Sequence, residues 1–240
     1  MTAMPRTLLL GALATLLLSG CSARVQNMVN TAKTAFFGHQ DVELSVERVN
    51  AYPYAAAYVK TDNFPQAIAV LDRFSGEQRV YRTGGDEALT TRFGRVISSA
   101  GIPGMPLHTF DWRQDPLACH VQQQHRGTKQ LCPREWQRTV EIGNYGENDV
   151  RQVSFDSTFT VGNTIDYVHP DGTPLQAVVI NEQGQAGNRA FRNEFYAVAG
   201  RIVYAKQWVS TELGYVTWRE MKPFSGDLSG DRSDSNGEQQ

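Results

Sequence analysis

Along most of this chain apolar and polar residues alternate. Val153, Phe155, Phe159 and Val161 interleave with Gln152, Ser154, Asp156, Thr158 and Thr160, the period of a strand with one buried and one wet face. Val42, Leu44 and Val46 stand in the same relation to Glu43, Ser45 and Glu47, which predicts a strand from Asp41 onward. Further β-rich runs cover Ala67–Phe74, Gln78–Arg82, Val96–Ser99, Thr164–Val168, Leu175–Asn181, Phe191–Val198 and Ile202–Val209. Between them fall the turn signals Ser75-Gly76, Gly84-Gly85-Asp86, Phe93-Gly94, Asp171-Gly172 and Ala199-Gly200. Many short strands with hairpin turns predict an all-β fold, an antiparallel β-sandwich or a curved sheet or open barrel. Trp208 lies on a run apolar on both faces and is expected to be buried. One helix is predicted, near the N-terminus: Val25, Met28, Val29, Ala32, Ala35 and Phe36 have helical spacing, and Gly38 stops them. No second long amphipathic helix is expected, and Gly101–Pro106 opens what reads as an irregular stretch running through the cysteines to Pro133.

The first twenty residues have another character. One positive charge, Arg6, precedes the apolar run Leu8–Leu18, and Ser19-Gly20 stands before Cys21. This is the order of a secretory leader, and the run is too short for a membrane span, which needs about 20 apolar residues. Leu18-Ser19-Gly20-Cys21 resembles the lipobox of bacterial lipoproteins. The resemblance implies cleavage before Cys21 and acylation of that residue, anchoring the protein to a membrane. Ser22 after it resembles the pattern of lipoproteins sorted to the outer membrane. The expected organisation is a signal peptide over 1–20, a lipid-anchored helix or tether over 21–40, a single antiparallel β domain over 41–224 and a disordered acidic tail over 225–240. The helix of the tether either docks on the domain or lies near the membrane surface.

Charge then narrows the partners. The whole chain of 240 residues carries a net charge of −2, and without the leader and the acidic tail its basic and acidic residues balance. A neutral body excludes nucleic acid as a main partner, because phosphate binding needs an uncompensated basic surface. Cys119 and Cys132 remain after Cys21. In an exported protein such a pair reads first as a disulfide; free thiols, or a metal site with His120 and His125, are the alternatives. Metal spacing is missing, and no metal or cofactor is expected. The sequence holds no G-x-S-x-G elbow, phosphate loop, H-E-x-x-H helix or dinucleotide fingerprint, so no catalytic residue is assigned. Asp111, Asp115, Asp156 and Asp166 are carboxylates of the kind a glycosidase pairs, but sequence does not show separation across a sheet. Trp112 precedes a loop-like Arg113-Gln114-Asp115-Pro116 and is the tryptophan expected to be exposed. With Gln114, Asp115 and Pro116 it is the candidate contact for a glycan or protein partner. Against that, proline pushes Asp115 toward extended geometry, and the Asp side chain can bond nearby backbone amides, a purely structural role.

Several local strings, in order, carry a family resemblance. Gln40-Asp41-Val42 is followed by Tyr52-Pro53-Tyr54 with Tyr58, then Gln114-Asp115-Pro116-Leu117 and Ser157-Thr158-Phe159. Phe195, Gly200-Arg201-Ile202-Val203 and Met221-Lys222-Pro223 complete the series. Together with the lipobox the chain resembles, from about Leu18 to Phe224, the YjbF/GfcB-like lipoproteins of group 4 capsule and exopolysaccharide gene clusters. Ala118–Pro133 and the acidic tail depart from that pattern. The resemblance implies a non-enzymatic outer-membrane lipoprotein facing the periplasm, which assists assembly or export of a surface polysaccharide by binding glycan or other proteins of the system. Two alternatives are a carrier or receptor for lipid or lipoprotein, and a polysaccharide-modifying hydrolase. Buried Trp and Phe side chains point to a filled interior, which argues against the carrier.

Overall fold

The structure, a computed structural model, describes residues 40–84, 87–102, 104–127, 131–143 and 150–228. The leader, Cys21 and the helix predicted over Arg24–Phe37 lie outside the described residues, as does the tail beyond residue 228.

Among the described residues the elements are α1 (Val46–Asn50), β1 (Ala56–Thr61), β2 (Ala67–Ser75), β3 (Gln78–Arg82), β4 (Ala88–Arg92), β5 (Arg95–Ala100) and β6 (Pro106–Thr109). A 3-10 turn (Trp112–Gln114) and α2 (Pro116–Arg126) follow. The chain continues through β7 (Glu135–Gly143), β8 (Val150–Val168), β9 (Pro174–Ala186), β10 (Arg189–Val198), β11 (Arg201–Ser210), β12 (Gly214–Lys222) and α3 (Ser225–Leu228).

All pairings are antiparallel, in one twelve-stranded sheet of order β5-β4-β3-β2-β1-β12-β11-β10-β9-β8-β7-β6. Each strand therefore lies beside its neighbour in sequence, and β12 returns to pair with β1. Only the step from β5 to β6 lacks a ladder, and there Ser99 Oγ donates to the Pro106 carbonyl at 3.0 Å. The fold is all-β, a curved and nearly closed sheet with a few short helices.

The turns follow from local chemistry. Arg92 faces Arg95 and Val198 faces Arg201, so Phe93-Gly94 and Ala199-Gly200 are two-residue hairpin loops. All four loop residues have positive φ, between 46° and 81°, which matches the strand twist. Gly94 is doubly constrained, since a Cβ there would sit 2.7 Å from Ile202 Cγ2.

Alternation along the strands sends one set of side chains inward. Ala57, Leu89, Phe159, Ile180, Phe195, Val216 and Trp218 form the main core with Leu117 and Val121 of α2. Phe155, Phe191 and Trp208 make a second cluster, and Trp208 is buried as its two-faced apolar run predicts. On β1 the opposite face is used as well: Ala56 and Tyr58 pack with Val49 of α1 and Met221 of β12.

Three predictions need correction. The strand expected from Asp41 is an extended segment leading into α1. Val42 N donates to the Gln66 carbonyl and Leu44 N to the Tyr58 hydroxyl, but no ladder forms, and Val49 is buried on a short helix instead. The stretch expected to be irregular from Gly101 to Pro133 contains β6, the 3-10 turn and the eleven-residue α2. Asp115 caps α2 by accepting from Leu117 N, Pro116 occupies its first turn, and Gly127 ends it with φ 61°. A helical turn, α3, also occupies Ser225–Leu228, where the tail was expected to begin.

Candidate functional site

Inside the sheet, β5, α2, β7, β9 and β10 meet through buried charges. Glu182 of β9 is fully buried and accepts from Arg95 Nη1 at 2.9 Å, Arg138 Nη1 at 2.7 Å and Asn193 Nδ2 at 2.8 Å. Arg95 also donates to Asp115, whose other oxygen caps α2. Two guanidiniums and two carboxylates leave the set neutral. Rings enclose the cations: Arg95 lies 4.9 Å from the Phe195 centroid and Arg138 4.3 Å from that of Trp136. Burial pushes the Glu182 carboxyl up, but Arg138 and Arg95, with Asn193 and Ser157, outweigh it and hold the group down at about 2. Every oxygen of Glu182 is occupied by protein, so this network positions elements and leaves nothing for a substrate. It fixes β5, an edge strand, to the wall formed by β7 and β9.

Over the same strands, the outer face carries a groove of about 1280 Å³. Register explains its walls. Gln137, Asp156 and Gln185 stand opposite one another on β7, β8 and β9, and Glu135, Thr158, Gln183 and Arg192 form the next outward row, reaching β10. Residues two apart on a strand share a face, so the two rows flank a trough across the strands. The row between them points inward and includes Trp136, Ser157, Gly184 and Phe191. At Gly184 a Cβ would lie 2.0 Å from the Asp156 carbonyl oxygen, so β8 and β9 approach only because that residue is glycine. Gln114 and Pro133 add to the lining, as does Tyr215, whose hydroxyl accepts from Arg192 N.

The residues singled out from sequence do not form one surface. Gln114 is exposed and lines the groove. Asp115 and Pro116 are buried, one in the ion network and the other in the first turn of α2. Trp112 is half-buried between the guanidiniums of Arg92 and Arg113, 5.5 and 4.2 Å from its ring. Cys119 of α2 is disulfide-bonded to Cys132, with Cα atoms 5.6 Å apart, and His120 meets the Pro133 carbonyl. Among the described residues, no group of three His, Cys, Asp or Glu side chains could hold a metal. Of the four aspartates, Asp111 is exposed in a left-handed turn, Asp166 accepts from Gln176, and Asp156 is in the groove. Sequence reasoning missed Arg95, Arg138, Glu182 and Asn193, and also the glutamines Gln137, Gln183 and Gln185. A signal for Glu182 existed in its spacing, two residues from the inward Ile180.

A family model described as group 4 capsule polysaccharide lipoprotein gfcB, YjbF matches residues 29–220. Among curated proteins, the uncharacterized lipoprotein GfcB of Escherichia coli (strain K12) is 26% identical over 147 residues. That match takes in 60% of this chain and 64% of GfcB, a little under two thirds of the relative's length. The uncharacterized lipoprotein YjbF of the same organism is 24% identical over 199 residues, 82% of this chain and 89% of YjbF. The crystal structure of the hypothetical lipoprotein YmcC from Escherichia coli (K12) superposes with a TM-score of 0.64 at 19% identity. It covers 82% of this chain and 96% of YmcC, a likeness of fold.

Proposed function

The chain belongs to the YjbF family of group 4 capsule polysaccharide lipoproteins, and from that membership we propose a non-enzymatic accessory role in assembling or exporting a surface polysaccharide. In this reading lipid on Cys21 holds the protein at the outer membrane, facing the periplasm, and the β domain binds glycan or partner proteins there. The observation that supports it is the outer groove: a wide polar concavity, built on four paired strands, that no segment among the described residues fills. An anchor confines the domain to the membrane surface and raises its effective concentration near membrane-bound components, so weak contacts suffice. The interior, by contrast, is occupied by Phe159, Phe195 and Trp218 with Leu117 and Val121 of α2, which does not support a lipid-carrier role.

The groove does hold two carboxylates, Glu135 and Asp156. Both are open to solvent, without the apolar enclosure that a glycosidase acid requires. The test compares polymer output in cells lacking the protein, restored with wild type, with Cys21→Ser or with the folded Glu135→Gln and Asp156→Asn variants at matched levels. Loss of output without the protein and with Cys21→Ser, but near-normal output with the carboxylate variants, is the expected result. Unchanged output in the deletion sinks the role in polymer assembly. Hydrolysis of purified polymer by the wild-type protein, lost in either carboxylate variant, sinks the non-enzymatic part. Intact-mass analysis showing neither cleavage before Cys21 nor a lipid increment removes the anchor.

A further inference from the structure

We infer that the outer groove across β7–β10 binds a stretch of uncharged, hydroxyl-rich glycan, an inference that rests on the role proposed above. The side chains lining it are open to a ligand, whereas some exposed charges elsewhere are paired within the protein, as in Lys60 with Asp41, Arg82 with Asp72, Arg151 with Glu212 and Arg219 with Glu43. In the groove, the side chains of Glu135, Gln137, Asp156, Gln183, Gln185 and Arg192 are exposed, and among the described residues none has a hydrogen-bonding or ionic partner.

The composition of the walls selects the ligand class. Each glutamine amide presents two donors and an acceptor, the complement of hydroxyl groups that donate and accept at once. Two carboxylates and one guanidinium leave the groove with a small negative balance, and among the described residues no cluster of cations lines it to take a sulfated, phosphorylated or carboxylated chain. The trough also has the shape for a polymer. It crosses the strands, and four strands at about 4.8 Å spacing give a track of about 14 Å, open along its length for a short run of pyranose rings. Strand-borne side chains hold their positions, and the Glu182–Asn193 bond behind β9 and β10 stiffens the floor.

The experiment uses the full-length protein in detergent. Calorimetric titrations with neutral glucan and galactan oligosaccharides, with polygalacturonate fragments and with the producing cell's own surface polymer compare wild type, Gln137→Ala/Gln185→Ala, Gln183→Ala and an Arg82→Ala control outside the groove. Expected is binding of the surface polymer or of a neutral oligosaccharide, weakened roughly tenfold or more in the double variant at unchanged melting temperature, with the control like wild type. Equal binding by wild type and both groove variants, binding of the polyanion alone, or no binding to any probe overturns the inference. The last of these with polymer output still lost in the deletion leaves the accessory role standing through protein contacts. Groove-dependent binding with output intact in the deletion sinks the accessory role and leaves the glycan site.

Discussion

Arg95 and Glu182, 87 residues apart in sequence, meet inside the sheet with Nη1 2.9 Å from Oε2, and neither has meaningful contact with water. One sits on the edge strand β5 and the other on β9, so their pairing spans the seam that backbone ladders leave open. Glu182→Ala would strand the Arg138 guanidinium in an apolar setting and leave Arg95 with Asp115 alone. Breaking a buried ion set this way is expected to cost about 3–5 kcal/mol. Urea denaturation of wild type and variant checks it, and a cost within error of zero would mean that the network is not what closes the seam.

Acid should find the same carboxylate. The folded state holds Glu182 down at about 2 against an ordinary 4.5, so its contribution is complete above 4.5 and is lost as pH falls from there toward 2. The loss is on the order of 3 kcal/mol. Glu182→Gln, lacking the titrating group, should show a flatter dependence across that window than wild type. Parallel stability curves for the two proteins would assign the acid sensitivity elsewhere.

Legibility in the sequence divided along physical lines. Gln78–Arg82 and the run around Phe155 were readable because turn residues bracket one and strict alternation marks the other. Phe93-Gly94 and Ala199-Gly200 were readable as turns for the same local reason. Helix α2 is not legible, although Asp115-Pro116 is also a helix-start signal: its buried face is short, with Leu117, Ala118 and Val121 beside His120, and proline after a polar residue equally suggests a loop. Arg95, Arg138 and Glu182 each look like surface charges when read singly, and their neutrality as a set exists only after strands distant in sequence are brought together. Gln114, a candidate from its loop-like context, does line the groove, whereas Gln137, Gln183 and Gln185 lie on the polar phase of ordinary strands and gain significance only from register.

The Cys119–Cys132 bond closes a segment of sequence separation 13 between α2 and the entry to β7. Replacing both cysteines with serine is expected to lower stability by about 2–4 kcal/mol through the freer unfolded chain. Non-reducing peptide mapping of protein purified from the producing cells should recover the linked pair, and two freely alkylated thiols would contradict it.

Gly184→Ala tests the close approach under the groove. A methyl group placed 2.0 Å from the Asp156 carbonyl oxygen has no room, so β8 and β9 must separate. The expected loss is about 1–3 kcal/mol, read as a lower denaturation midpoint. A variant as stable as wild type would mean that the two strands have slack at this point.

The return of β12 to β1 sets an order of events for the chain as it folds. Strand β1 ends at Thr61, and one of its two partners does not begin until Gly214. A chain delivered N-terminus first holds β1 with one ladder partner, β2, while the following strands arrive, and the open edge is an invitation to other chains. Closure between such distant segments makes folding slow. Truncation before Gly214 would therefore remove more than one strand's share of packing: it would convert the ring into a sheet with two further bare edges, at β1 and β11, and its first visible failure would be aggregation.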